Sequence, residues 1–174
     1  MIAIQDAAAG HVGLARLEAH VGLARLESID GMQLRRFFFR LSPETLYRRF
    51  HSPIARPEQA EPQRLLDLDH HDREAVVAVV GGEIVGVARY ARCPGADMAE
   101  VAVVVADGWQ QQGLATRMLS ALTELALAAG VQRFYLSMQA DNRAVLRLVR
   151  RLYPNAALTH AQDLCETTVQ LRCS

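Results

Sequence analysis

The 174 residues predict an α/β (α+β) domain: a mixed, mostly antiparallel sheet of about six or seven strands with helices on both faces. Three observations carry that expectation. Two β-rich runs, 75–80 and 83–90, flank Gly81-Gly82, and a third follows at 100–105 after a turn over 93–97, which is the pattern of a three-strand antiparallel meander. A helical run, 113–129, then lies between the strand at 100–105 and another at 133–138, so those two strands should be parallel neighbours. The tail around 167–172 supplies one or two further strands.

The elements follow in order. The octapeptide HVGLARLE occupies 11–18 and recurs at 20–27. Two copies are too few for a solenoid, so the reading is a local duplication of one edge-strand segment. Residues 21–27 would form the first strand, and 1–20 a tail or an added strand. Residues 21–174 are then expected to form one domain. Asp30 is placed to cap a helix running to about Arg40, with Phe37, Phe38 and Phe39 on its apolar face. Ser42-Pro43-Glu44 opens a second helix, with a capping hydroxyl, a proline in the first turn and an acid at the positive dipole end; it ends near Phe50. Residues 51–64 hold three of the six prolines and read as a loop, and 65–68 as a short helix. The long helix shows Leu114, Met118, Leu122, Leu125 and Ala129 at helical spacing and stops at Gly130. A last helix runs from Asn142 to Leu152, and Pro154 ends it.

Composition narrows the function. Nineteen acidic residues balance nineteen basic ones, so no net positive field favours nucleic acid as partner. No apolar run reaches 18 residues, and the first residues lack the basic and apolar regions of a secretion signal, so neither a membrane partner nor export is expected. Cys93, Cys165 and Cys173 have no metal-type spacing and read as reduced thiols, in keeping with a cytoplasmic location. His70-His71-Asp72 reads as a polar turn, because adjacent residues rarely converge on one ion. No metal is expected.

The segment Trp109-Gln110-Gln111-Gln112-Gly113-Leu114-Ala115-Thr116 joins the strand at 100–105 to the long helix. A helix begins with orphan N–H groups and a partial positive charge. A loop entering it can aim successive amides at an anion, and Gly113, without a Cβ, lets a phosphate approach the backbone. A P-loop would need Lys-Ser/Thr after the glycine, and a dinucleotide fold paired glycines; neither is present.

Gln110-Gln111-Gln112-Gly113-Leu114-Ala115 resembles the Q/R-x-x-G-x-G/A signature of the GNAT superfamily of N-acetyltransferases. The runs LSPETLYRRF (41–50), AEVAVVVADGWQQQGLA (99–115) and ADNRAVLRL (140–148), in that order, are similar to the Pat-type protein lysine acetyltransferases, bacterial enzymes whose acetyltransferase domain is often fused to others. The likeness covers roughly 21–154. It implies a GNAT-like sheet with a splayed parallel pair, and acetyl-CoA as acyl donor. In this likeness the diphosphate would lie on the main chain of Gln110, Gln111, Gln112, Gly113, Leu114, Ala115 and Thr116. The pantetheine arm would lie along Val103 and Val105 like an added strand, with Asn142 contacting it. The acceptor implied is a lysine on a protein such as an acyl-CoA synthetase, or else a small amine, and the chain itself a monomer or homodimer.

An amine acceptor sets a requirement. An ammonium with pKa near 10.4 must lose a proton before it attacks. Glu100, matching the glutamate of the Pat-type A-E-x-A run, is the implied general base in a direct attack within a ternary complex. The alternating alanines and valines around it predict an apolar setting, and the competing reading is a strand-start glutamate paired with an arginine. Arg143 and Arg147 read as solvated. The pattern is broken in three places. Val149 stands where the superfamily often has an acidic Tyr, Tyr153-Pro154 replaces a Gly-Phe turn, and Gln112 replaces a common basic residue. The Pat-type enzymes commonly lack that Tyr as well; the departures at Gln112 and Tyr153-Pro154 keep a non-catalytic acyl-CoA-binding regulatory module as an alternative to an enzyme acting on proteins or small amines.

Overall fold

The computed structural model of the chain describes residues 21–27, 30–50 and 65–172. Seven strands form one sheet in the order β1-β2-β3-β4-β5-β7-β6. They are β1 (Gly22–Arg25), β2 (Arg73–Val80), β3 (Glu83–Ala91), β4 (Met98–Val105), β5 (Arg133–Gln139), β6 (Thr159–Ala161) and β7 (Leu164–Gln170). The helices among the described residues are α1 (Gly31–Phe39), α2 (Pro43–Phe50), α3 (Leu114–Ala128) and α4 (Arg143–Leu152). As expected, β2, β3 and β4 form the antiparallel meander, and β4 and β5, joined through α3, are the parallel pair. The hairpin turns on Gly81 and Gly82, both at positive φ.

Strand alternation sorts the side chains into two cores, one on each face of the sheet. Val76, Ala78, Ala88, Tyr90, Ala99, Val101, Phe134 and Leu136 pack under α3 and α4. Ala75, Val77, Val87 and Val104 pack under α1 and α2, with Phe37 and Phe38 fully buried. Edge strand β1 is tied to β2 by the buried Glu74, whose carboxylate takes Arg25, the His70 ring at 2.9 Å and the Ala75 amide at 3.0 Å.

Several expectations are corrected. Phe39 is 48% exposed, because three consecutive residues cannot all face one side of a helix. Asp30 sits at the start of α1 but does not cap it; its carboxylate accepts the Glu27 amide at 2.9 Å instead. Residues 66–68 are not helical. The short β6 pairs with β7 and forms the far edge of the sheet. The first copy of the octapeptide at 11–18, the expected loop over 51–64 and Cys173 lie outside the described residues.

On α3 the buried stripe is Leu114, Met118, Leu119, Leu122 and Ala126, while Leu125 is only half-buried. Leu122→Ala should therefore cost about 2–5 kcal/mol. Leu125→Ala, on the flank, should cost well under half as much. Urea unfolding of the two variants measures the difference, and equal costs would contradict this placement.

Candidate active site

β4 and β5 pair through only three residue pairs: Met98↔Arg133, Ala99↔Phe134 and Glu100↔Tyr135. Beyond Glu100, β4 continues beside β3 and β5 continues beside β7. The two parallel strands therefore diverge, and a cleft of about 280 Å³ opens where their pairing stops. The amide of Ala106 donates to Val85 O at 2.9 Å, on the β3 side. Alternation then turns the N–H and C=O groups of Val101, Val103 and Val105 toward the gap. Buried backbone groups need partners, so these are placed to bind an extended ligand as an added strand. The carbonyl of Val105 already accepts from Gln110 Nε2 at 3.1 Å.

The loop after β4 is built by its own side chains. A 3₁₀ turn, Asp107–Trp109, starts it. The Asp107 carboxylate accepts from the Ser42 amide at 3.0 Å, Ser42 Oγ at 2.6 Å and Thr45 Oγ1 at 2.8 Å, which fastens the loop to the first turn of α2. Gln110 Nε2 also donates to Thr45 Oγ1, at 3.1 Å, and Gln112 Nε2 folds back onto Gly108 O at 3.0 Å. Two of the three glutamines thus brace the loop with their side chains. Gln111 lies at φ 60° and Gly113 at φ 80°. Left-handed residues within such a turn curl the backbone so that successive amides converge.

Gly113 is the N-cap of α3 and gives that helix no side-chain cap. By contrast, Ser42 Oγ accepts the Thr45 amide at 3.2 Å on α2, and Asn142 Oδ1 the Val145 amide at 3.2 Å on α4. The first helical bond of α3 runs from Arg117 N to Gly113 O. The amides of Gly113, Leu114, Ala115 and Thr116 therefore stand at the positive end of a 15-residue helix without an intrahelical partner. This arrangement suits a diphosphate.

Asp107 shows how loop stability depends on pH. Partial burial disfavours its charge, but the Ser42 and Thr45 donors win and hold the carboxyl below its ordinary value. A depressed folded value gives stability that is present above the unfolded pKa near 3.9 and is lost as pH falls through the folded value. Asp107→Asn should therefore melt below the parent at pH 7, with the gap closing as pH drops below about 4. A gap that persists unchanged at pH 3 would rule out this linkage.

Glu100 is exposed at the cleft mouth, on the α1–α2 face of the sheet. The expected apolar setting is replaced by charge. Arg49, at the end of α2, and Arg89, on β3, both feel the Glu100 carboxylate. Desolvation, with Arg89 nearby, pulls the Arg49 guanidinium down to about 10, while Glu100 acts in the opposite sense. Arg89 is lowered likewise, chiefly by burial. Asn142 is buried, lines the cleft and caps α4. Val149 is buried in the cleft wall. Tyr153 ends α4 half-buried, and burial raises its phenol above the ordinary value while a Thr123 hydrogen bond opposes. Arg143 and Arg147 are exposed.

Of the residues the sequence singles out, Glu100, Val103 and Asn142 line the cleft; Val105 and the 110–116 loop lie outside its lining, further along the chain at the end of the same strand and beyond it. The sequence reading missed Arg49 and Phe50 at the mouth and Ser137 and Met138 on the β5 wall. Nothing local marks Arg49. Only the packing of α2 across β4 brings it to the cleft.

A family model described as the acetyltransferase (GNAT) family matches residues 36–152. The acetyltransferase Pat of Mycolicibacterium smegmatis is 38% identical over 114 residues, covering 64% of this chain and 34% of the relative. An acetyltransferase of Pseudomonas aeruginosa is 36% identical over 115 residues, covering 64% of this chain and 62% of the relative. The chain thus spans about a third and about three fifths of these two relatives' lengths. The GNAT domain of S. lividans PAT superposes with a TM-score of 0.78 over 86% of this chain and 89% of that one, at 24% identity, a likeness of fold. The matched family segment starts within α1 and ends with α4, enclosing the splay, the uncapped helix start and the cleft between them: the chain belongs to the GNAT family of acetyltransferases.

Proposed function

We propose that the chain transfers the acetyl group of acetyl-CoA to a lysine ε-amine of a protein, such as an acyl-CoA synthetase, by direct attack in a ternary complex. The observation that carries this reading is the course of β4. It leaves β5 at Glu100 and delivers the chain, a few residues later, to the uncapped start of α3. One strand therefore sets a carboxylate at one end of the cleft and a cradle of amides beyond the other. The diphosphate rests on the amides of 113–116, the arm runs along Val103 and Val105, and the thioester is laid beside Glu100. Glu100 accepts the proton of the ammonium, the freed amine attacks the carbonyl carbon to form the C–N bond, the C–S bond breaks, and the nitrogen's second proton passes to the departing CoA thiolate. A thiol with pKa near 8.5 leaves without an acid, which is consistent with Val149 on the cleft wall.

All nineteen basic residues are arginine, so the chain has no lysine side chain of its own to acetylate. Any acetyl-lysine found after incubation with acetyl-CoA and a purified acyl-CoA synthetase therefore belongs to the acceptor. Mass spectrometry of that acceptor, with titration of CoA by calorimetry, tests the reading. Saturable CoA binding with acetyl-lysine appearing is the expected result. Acetylation of free amines but no protein would move the acceptor to small molecules. Binding without transfer to any amine would leave an acyl-CoA-binding module.

A further inference from the structure

The acceptor side of the cleft has a charge pattern that acetyl transfer alone does not require. Val87 and Val104 lie in the core under α1 and α2, so alternation places Arg89 on β3, and Ala102 and Glu100 on β4, on that same face. Arg89 stands opposite Ala102, one pair from Glu100 along the face. The neighbouring strands continue the pattern. Phe134, Leu136, Cys165 and Val169 belong to the opposite core, which leaves Tyr135 and Glu166 facing with Glu100. The Tyr135 phenol is held above its ordinary value, first by its hydrogen bond to Glu166, then by partial burial, with Glu100 adding to the effect. The face therefore presents carboxylates, Glu100 and Glu166, on one side and guanidinia, Arg49 and Arg89, on the other.

Burial sets these two arginines apart. Other arginines of the chain either pair at short range, as Arg48 does with Glu44 at 2.7 Å and Arg40 with Glu83 at 2.6 Å, or stand in solvent, as Arg143 and Arg147 do. Among the described residues, no carboxylate lies within ion-pair distance of Arg49 or Arg89, although both lose much of their hydration and repel each other. The Phe50 ring, 4.9 Å from Arg49 Cζ, attracts the guanidinium through its quadrupole but brings no countercharge. Partly desolvated guanidinia that repel each other are costly unless an anion completes them. They also supply the planar, multi-donor geometry that binds carboxylate and phosphate best. Arg49 lines the same cleft as Glu100, so an anion held there would be part of a ligand whose amine reaches the base.

We propose, building on the acetyl-transfer reading above, that Arg49 and Arg89 form an anion subsite, and that the preferred acceptor carries a carboxylate or phosphate beside the amine that Glu100 receives. The ammonium lies toward Glu100 and Glu166, and the anionic group toward the two guanidinia. An acceptor that is only cationic, such as a polyamine, meets two guanidinia offset only by the Glu100 carboxylate that must receive its amine, and is disfavoured.

The test uses the whole chain and two acceptor pairs. One pair is a lysine peptide with Glu beside the lysine and the same peptide with Gln there. The other is a free amino acid and its carboxamide. For each, kcat/KM is measured at saturating acetyl-CoA, and Kd is measured by calorimetry on the CoA-loaded protein. The acidic member of at least one pair should be favoured by about 10-fold or more, as a charge-assisted, bidentate contact implies. Which pair shows the preference tells whether the anion comes from a protein side chain or from the acceptor's own carboxylate. Arg49→Gln and Arg89→Gln should erase the preference, Arg49→Lys should keep part of it, and CoA affinity should stay unchanged in all three. Equal rates and equal affinities within both pairs for the parent protein would overturn the proposal, and that comparison needs no variant to fold. A preference that survives in the Arg49→Gln, Arg89→Gln double variant would overturn it too. An affinity difference without any acetyl transfer would sustain the subsite while removing the acetyltransferase reading.

Discussion

Glu100→Gln should lower kcat for amine acetylation by about 10²- to 10⁴-fold, the range that positioned acid–base groups contribute. The change removes the proton acceptor and keeps the shape of the side chain. Glu100 is exposed and makes no ion pair within the described residues, so melting temperature and CoA affinity should stay close to the parent's. The residual rate carries its own signature. Without a base, only the amine fraction already unprotonated reacts, so the variant's kcat/KM should climb with pH toward the amine's own value near 10.4. Glu166→Gln is the comparison: its carboxylate faces the same side of the sheet but is engaged by Tyr135, so as part of the ammonium's surroundings it should raise KM and leave kcat near the parent's. An unchanged rate in Glu100→Gln, or an equal loss in both variants, would take the base role away from Glu100.

Gly113→Val should raise the Kd for CoA by about 100-fold. Gly113 sits at φ 80°, where a side chain costs roughly 1–2 kcal/mol and a β-branched one more. The loop escapes that cost by rotating the peptide, which takes the amides of 113–116 off their common aim. Each hydrogen bond to a charged group contributes about 1.5–3 kcal/mol, so losing one or two accounts for the factor. Crowding by the protein itself is not the issue, since a Cβ built at Gly113 meets no other residue within 4 Å. Acetyl-pantetheine, which lacks the diphosphate, separates this effect from general damage: its turnover should be nearly the same in parent and variant. Parent-like CoA affinity in Gly113→Val would mean that the diphosphate is held elsewhere.

The meander, the parallel pair and the long helix were legible because each depends on neighbours in sequence. Gly81-Gly82 sets its own turn, and alternating or helical spacing exposes one face of each run. Gly113 was legible for a related reason, although its positive φ adds a conformational role to the steric one. The surroundings of Glu100 were not legible. Alanines and valines flank it along β4, but the atoms that approach its carboxylate come from β3, β5 and the end of α2. Asp30 failed for the same reason. It is a good capping residue by type, yet the Glu27 amide competed for it and won. The glutamines at 110 and 112 read as part of an anion loop, and their side chains proved to brace it, through Val105, Thr45 and Gly108.

The sequence by itself determined the meander, the parallel pair and the helices α1 to α4, where the hairpin turns, and that a helix start opened by glycine follows the third strand of the meander. These depend on backbone conformational preference and on short-range spacing, and both act within about one turn of helix or one hairpin. Only the tertiary structure decided that β4 parts from β5 at Glu100, that Asp107 and Gln110 pin the loop to α2, and that Arg49 and Arg89 flank the candidate base. Those outcomes depend on which faces are buried together across dozens of residues, where desolvation and long-range packing outweigh any local preference.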